Sequence, residues 1–180
     1  MHQDLSDFLA GGTRLSEESV TWGAMPLQIT LYLCDRIPPL EYVSSVRAIV
    51  FREQSVLVIT QENGRMYITP GGRVEKGELP LETLKRELLE ETGWTLLKTE
   101  LLGCMHFHHL APKPDGYPYP YPDFLWPIYF AEAKDFTPET IIPDDFVFTS
   151  GFKPIEEVKT MPLDNERSSL LLLDAALKLR

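Results

Sequence analysis

The chain has 180 residues, a formal net charge of −10, 43% hydrophobic and 24% charged residues. That is the balance of an ordinary globular domain with a full core, not of a disordered or fibrous chain. The acidic excess repels nucleic acid backbones and anionic membranes, so neither a long DNA or RNA nor a membrane is expected as partner. No apolar run is long enough to cross a bilayer, and the start Met1-His2-Gln3-Asp4 lacks the layout of a signal peptide, which makes the cytoplasm the expected location. Cys34 and Cys104 are too few for a disulfide framework and stand in no metal-ligand spacing.

The first twenty or so residues read as a tail or a short helix with a loop. Residues 27–33, Leu-Gln-Ile-Thr-Leu-Tyr-Leu, alternate with the period of a half-buried strand, and Pro38-Pro39 ends that element. The chain therefore divides into an N-terminal extension with one strand, residues 1–41, and a main domain, residues 42–180. The extension strand either lengthens the sheet or pairs with a second chain as a homodimer. Residues 46–51 and 56–60 are β-branched runs that form a hairpin, and residues 65–69 read as another strand running into Pro70-Gly71-Gly72. Pro80 suits a first helical position and Gly93 the residue just past a helix end, which predicts a helix over 80–92. Residues 99–109 and 124–133 follow as strands, joined by the Tyr-Pro repeat of residues 117–122, and a leucine-rich helix over 163–179 closes the chain.

Between Gly72 and Trp94 the spacing is Gly72, Glu78, then Arg86-Glu87-Leu88-Leu89-Glu90-Glu91-Thr92-Gly93-Trp94. On a helix, Leu81, Leu84 and Leu88 make one apolar stripe, and Glu87 and Glu91 lie on its flank with Glu90 further round. Like charges at i, i+3 and i+4 oppose a helix by a few tenths of a kcal/mol per pair, and a divalent cation removes that repulsion. Arg86 stands four residues from both Glu82 and Glu90 and so can pair with either. Leu79, before Pro80, forfeits an N-cap worth about 1 kcal/mol. The bland reading of three such glutamates is a solvated helix face. The fixed glycines, Glu78 and Arg86 weigh against it.

These nine positions match the Nudix box at every defined residue, a coincidence expected roughly once in ten million chains from average composition. The chain thus resembles the Nudix hydrolases, over about an eighth of its length. The resemblance implies an α+β fold, an α/β/α sandwich with a mixed β-sheet, and Mg²⁺-dependent hydrolysis of a diphosphate bond, with Mn²⁺ as a substitute. The substrate would be a small nucleotide-like metabolite such as a nucleoside triphosphate, ADP-ribose or a nucleotide sugar. Glu87, Glu90 and Glu91 would hold the metal together with a carbonyl of Gly71 or Gly72, and Arg86 would orient them. The competing reading is a catalytically silent nucleotide-binding regulator, whose mark is an eroded acidic arc.

Outside the box, Asp144 and Asp145 are the expected further carboxylates and general base, with Glu132 and Glu139 as rivals. Arg65, Arg73, Tyr119 and Tyr121 are candidates for substrate contact, the tyrosines as stacking surfaces on an extended loop. Lys113 joins Arg65 and Arg73 as a candidate for phosphate contact. His106, His108 and His109 read as structural or surface residues and not a metal site, because no carboxylate or cysteine stands beside them at ligand spacing, with contact to a substrate base left open for His106 or His108.

Overall fold

The computed structural model describes residues 2–142 and 149–180. Eight strands form one mixed sheet: β1 (Thr13–Trp22), β2 (Met25–Leu33), β3 (Arg47–Arg52), β4 (Ser55–Thr60), β5 (Met66–Tyr67), β6 (Trp94–His109), β7 (Asp123–Phe136) and β8 (Thr149–Pro154). Four helices, α1 (Gln3–Ala10), α2 (Pro80–Thr92), α3 (Ile155–Val158) and α4 (Glu166–Leu177), pack around it. The sheet order is β1-β2-β6-β7-β3-β4-β5, with β8 paired to β4. Neighbours run antiparallel except β3 and β7, which are parallel.

The near-continuous apolar runs of β3, β4 and β7 follow from burial on both faces. Ile49, Phe51, Val56, Val58, Ile128 and Phe130 point to one side and pack with Leu172, Leu173 and Ala176 of α4. Ala48, Val50, Leu57, Ile59, Tyr129 and Ala131 point to the other and receive Leu84 and Leu88 of α2. Period-two alternation thus sorts one strand set between two helix layers. Leu84 and Leu88 are both fully buried, and each such side chain contributes roughly 1.5–3 kcal/mol. That anchors the helix carrying the acidic arc.

The N-terminal region departs from expectation. The extension holds two strands, not one, because Thr13–Trp22 pairs antiparallel with β2 through its whole length. Its sequence, Thr-Arg-Leu-Ser-Glu-Glu-Ser-Val-Thr-Trp, has no clean apolar alternation because an edge strand with mostly exposed side chains is specified by its backbone partner. β2 bonds to β6 on its other side, so it extends the sheet and has no edge left for a second chain. Ahead of them α1 seats Leu5, Phe8 and Leu9 against Cys104 and Leu125.

The expected strand over 65–69 is only Met66–Tyr67. Beyond Tyr67 the chain leaves β4 and runs beside the start of β3, where Ala48 N–H donates to the Pro70 carbonyl and Val46 N–H to the Gly72 carbonyl. This detour brings the glycine turn to the base of α2. β6 begins five residues before its expected start, and α4 ends two residues before its expected end. β8 and α3 carry no strong pattern of their own and lie beyond the elements read from sequence.

Candidate active site

The site is built where the glycine turn meets α2. Pro80 opens the helix and Gly93 ends it in a left-handed conformation, φ 72°. Leu79 gives no side-chain cap, but Glu82 Oε2 accepts from the Leu79 N–H at 2.9 Å, so half of a capping box replaces it. Glu82 is thereby occupied, and Arg86 turns to Glu78 instead. Of the two partners that spacing left open to Arg86, it binds Glu90 and not Glu82.

Arg86 is the hub. Its Nε and Nη2 donate to the two oxygens of Glu78 at 2.7 and 2.9 Å. Nη1 donates to Glu87 Oε1 at 3.0 Å and to Glu90 Oε2 at 3.1 Å, and Nη2 also reaches the Arg73 carbonyl at 3.1 Å. Glu78 Oε2 additionally accepts from the Thr83 hydroxyl and the Glu75 N–H. The Arg86 hydrogen bonds pull the Glu78 carboxyl down to about 2, and Glu78 in turn raises the Arg86 guanidinium. Glu87 behaves oppositely. Burial pushes its carboxyl up, Arg86 opposes this, and the neighbouring Glu90 charge adds to it.

The two glycines are required by contact. Gly71 has φ 128°, and a Cβ there would strike the Val46 carbonyl and stand 3.2 Å from Arg47 Cα. A Cβ on Gly72 would land on the Glu87 carboxyl group. The Gly71 N–H donates to Glu91 Oε2 at 3.0 Å. The Pro70 and Gly72 carbonyls are taken by Ala48 and Val46, whereas no backbone N–H among the described residues donates to the Gly71 carbonyl. Glu87 and Glu91 therefore both meet the glycine turn, with Glu90 beside them and the Gly71 carbonyl not engaged by a backbone N–H among the described residues. All are hard oxygen donors, and a carboxylate kept partly desolvated beside another carboxylate is a donor set a divalent cation fits. No three His, Cys, Asp or Glu side chains among the described residues make a ready cage. The arrangement suits Mg²⁺, which retains waters and bridges one or two carboxylates to phosphate.

The remaining candidates scatter. Arg65 is committed to Asp164, with Nη2 at 2.7 and 2.6 Å from its two oxygens, outside the acidic arc. Arg73 lies beside the site, its guanidinium 5.2 Å from the Tyr119 ring centroid. The 117–122 segment is an irregular connection and not an extended spacer. Tyr117 and Tyr121 fold onto His109, and the Tyr121 hydroxyl donates to the Ala111 carbonyl. Lys113 is exposed and joins no ion pair among the described residues. Asp144 and Asp145 lie outside the described residues. A cavity of about 540 Å³ opens beside Glu91, walled by Arg52, Trp94, Phe136 and Phe152 among others.

Two features escaped the sequence. Asp123, from β7, places Oδ1 2.8 Å from both His106 Nε2 and His108 Nδ1. The histidines do have a carboxylate, supplied across the strand pair and not by sequence neighbours. Burial alone would raise Asp123, but the two imidazole hydrogen bonds outweigh it and hold the carboxyl low, while burial keeps His106 low. Arg47 is the second. It opens β3, half-buried, with its guanidinium 4.8 Å from the Trp126 ring centroid. The available signal was a lone arginine inside the apolar run Val46-Arg47-Ala48-Ile49-Val50.

The NUDIX domain family model matches residues 41–173. A 76-residue stretch is 32% identical to the candidate ADP-ribose pyrophosphatase YjhB of Bacillus subtilis, covering 42% of this chain and 36% of that protein. A 66-residue match to the 8-oxo-dGTP diphosphatase of Haemophilus influenzae is 36% identical and covers 29% of this chain and 48% of that protein. The matched stretches thus span less than half the length of either relative. Among solved structures, a mutant of the Bacillus subtilis pyrophosphohydrolase BsRppH superposes with a TM-score of 0.56 over 91% of this chain and 94% of that one at 20% identity, a likeness of fold. No helix among the described residues is long and apolar enough to cross a membrane.

Proposed function

The chain belongs to the Nudix hydrolase family, and from that premise we propose that it hydrolyses the diphosphate linkage of a nucleoside diphosphate joined to a second group, in a Mg²⁺-dependent reaction. The observation that carries this reading is the packing of Gly71 and Gly72 onto Glu91 and Glu87. The acidic arc is complete and held in register by Arg86, which favours an enzyme over a silent binding relative.

Glu87, Glu91 and the Gly71 carbonyl, with Glu90 alongside, would hold the cation. Bound there, it would supply positive charge to the phosphoryl oxygens and lower the pKa of an attacking water. Gly71 fixes Glu91 through its N–H, and Arg86 fixes Glu87 and Glu90 while its other bonds tie it to Glu78. This positioning keeps the carboxylates preorganised before substrate arrives. Water oxygen bonds to phosphorus, the bridging P–O bond breaks, and the water proton passes to a carboxylate. For that proton we assign Asp144 or Asp145, on the strength of their place downstream of the box.

The test is a panel of ADP-ribose, nucleoside triphosphates and nucleotide sugars incubated with Mg²⁺ or Mn²⁺, with products resolved chromatographically. Turnover of one class, lost with chelator and restored by metal, is the expected result. A purified, folded protein that cleaves none of them in either metal sinks the hydrolase assignment.

A further inference from the structure

Five arginines lie on or beside the strands and helix that build the site, and their commitments differ. Arg86 spends its donors on Glu78, Glu87, Glu90 and the Arg73 carbonyl. Arg65 is neutralised by Asp164. Arg52 is exposed on the Trp94 ring at 4.9 Å, on the wall of the cavity beside Glu91. Arg47 and Arg73 form no ion pair and donate no side-chain hydrogen bond among the described residues. Each is instead laid over an aromatic ring, Arg47 on Trp126 and Arg73 on Tyr119.

Their backbones flank the glycine turn. Arg73 pairs with Ser45, two residues before Arg47, and Arg47 Cα is, after the Val46 carbonyl oxygen, among the atoms a Cβ on Gly71 would meet. Gly71 is also the residue whose N–H binds Glu91. Arg47 is thus one glycine away from the carboxylates proposed to hold metal. Trp126 is itself fixed, its Nε1 donating to Ser44 Oγ at 3.0 Å, so the ring that carries Arg47 is a rigid platform. A partly buried guanidinium that feels Glu87 and Glu91 only at a distance, with no direct ion pair, gains when an anion reaches its donors. Stacking on an aromatic face leaves its edge donors free for that anion.

We propose that Arg47, supported by Arg73, binds the non-bridging phosphoryl oxygens of the diphosphate substrate beside the glycine turn. This assignment rests on the diphosphate reading above and deepens it. The two arginines divide the work: Arg86 orders the protein's own carboxylates, and Arg47 receives the substrate's charge. Burial lowers the proton affinity of Arg47, whereas Glu91, Tyr67 and Glu87 raise it and Arg73 lowers it further, so those groups stand within electrostatic reach. The guanidinium stays charged throughout the working range.

The test uses full-length protein with Mg²⁺ and adenosine 5′-(α,β-methylene)diphosphate, a diphosphate that cannot be cleaved at the bridge, titrated calorimetrically. Arg47→Met should weaken its binding at least about tenfold, equal to roughly 1.4 kcal/mol. Arg47→Lys keeps the charge but loses the planar fork and the stacking, and should fall between Arg47→Met and wild type. Arg14→Met, which removes an equal charge on β1 where Arg14 pairs with Glu17, should bind like wild type. On the substrate found by the panel, Arg47→Met should raise KM more than it lowers kcat, a split that a merely structural loss does not produce. Should Arg47→Met fail to fold, Arg47→Lys carries the same comparison. Binding and KM within twofold of wild type in a folded Arg47 variant overturn the assignment while leaving the hydrolase reading intact. Arg47-dependent binding without turnover of any substrate supports the assignment and removes the hydrolase reading instead.

Discussion

The turn and helix of residues 70–93 and the β1–β2 hairpin near the chain's start are held by different kinds of contact. In the first, one guanidinium joins Glu78, Glu87 and Glu90, and one glycine N–H ties in Glu91. In the second, a ladder from Leu27 to Leu33 bonds β2 to β6 and buries Leu27, Ile29 and Leu31. Charge-assisted hydrogen bonds set atoms to within tenths of an ångström, whereas apolar burial sets stability with little demand on direction. Under the proposed function, chemistry falls to the turn and helix and cohesion to the hairpin. Substitutions in the two regions should fail in different ways.

The largest effect is expected in the first region. Glu87→Gln or Glu91→Gln keeps the packing of α2 on Leu84 and Leu88 but removes the charge of a proposed metal ligand, and should lower kcat about a thousandfold, roughly 4 kcal/mol of barrier, with a normal circular-dichroism spectrum. Near wild-type turnover by either variant in saturating Mg²⁺ would remove that residue from the metal site.

The hairpin should answer in stability instead. Leu31 is almost fully buried in the cluster beneath α4, and Leu31→Ala should cost about 3 kcal/mol in a urea titration while leaving KM unchanged for the folded fraction. A loss below about 1 kcal/mol would mean the hairpin is an appendage that the core does not need.

The same division explains what the sequence made legible. The α2 boundaries, Pro80 and Thr92, were readable because Pro80, Gly93 and the leucine stripe are local signals. The acidic arc was readable because its members are spaced along one helix. β1 was not, since its polar edge is defined by partners in β2 and not by its own pattern. Arg86's choice of Glu78 over Glu82 depended on Glu82 turning back to the Leu79 N–H, which spacing alone does not reveal. The link from Asp123 to His106 and His108 crosses two strands, and only the register of β6 on β7 brings it about.

A third test sharpens the boundary of the chemical region. If the proton of the attacking water goes to the downstream aspartates, Asp144→Asn with Asp145→Asn should lower kcat about a hundredfold, roughly 2.7 kcal/mol, and change KM little. A kcat within about threefold of wild type, near 0.65 kcal/mol, would move the role to Glu132 or Glu139.

The smallest effect concerns how the arc is held and not what it does. Glu78 sits low, at about 2 against an ordinary 4.5, chiefly because Arg86 binds both its oxygens. A carboxyl depressed on folding adds stability that is present above its unfolded pKa and is lost as pH falls through its folded one. The window is therefore about pH 4.5 down to about 2. Glu78→Gln mimics the protonated side chain in shape, so it should be less stable than wild type near neutrality. The gap should close as pH drops through that window. Its size is modest, because both partners keep partial contact with water that screens the pair. Measuring Tm of both proteins across this range checks the sign directly. A gap that stays constant to the acid end would show that Glu78 acts through packing, and Arg86 would then owe its position to Glu87, Glu90 and the Arg73 carbonyl.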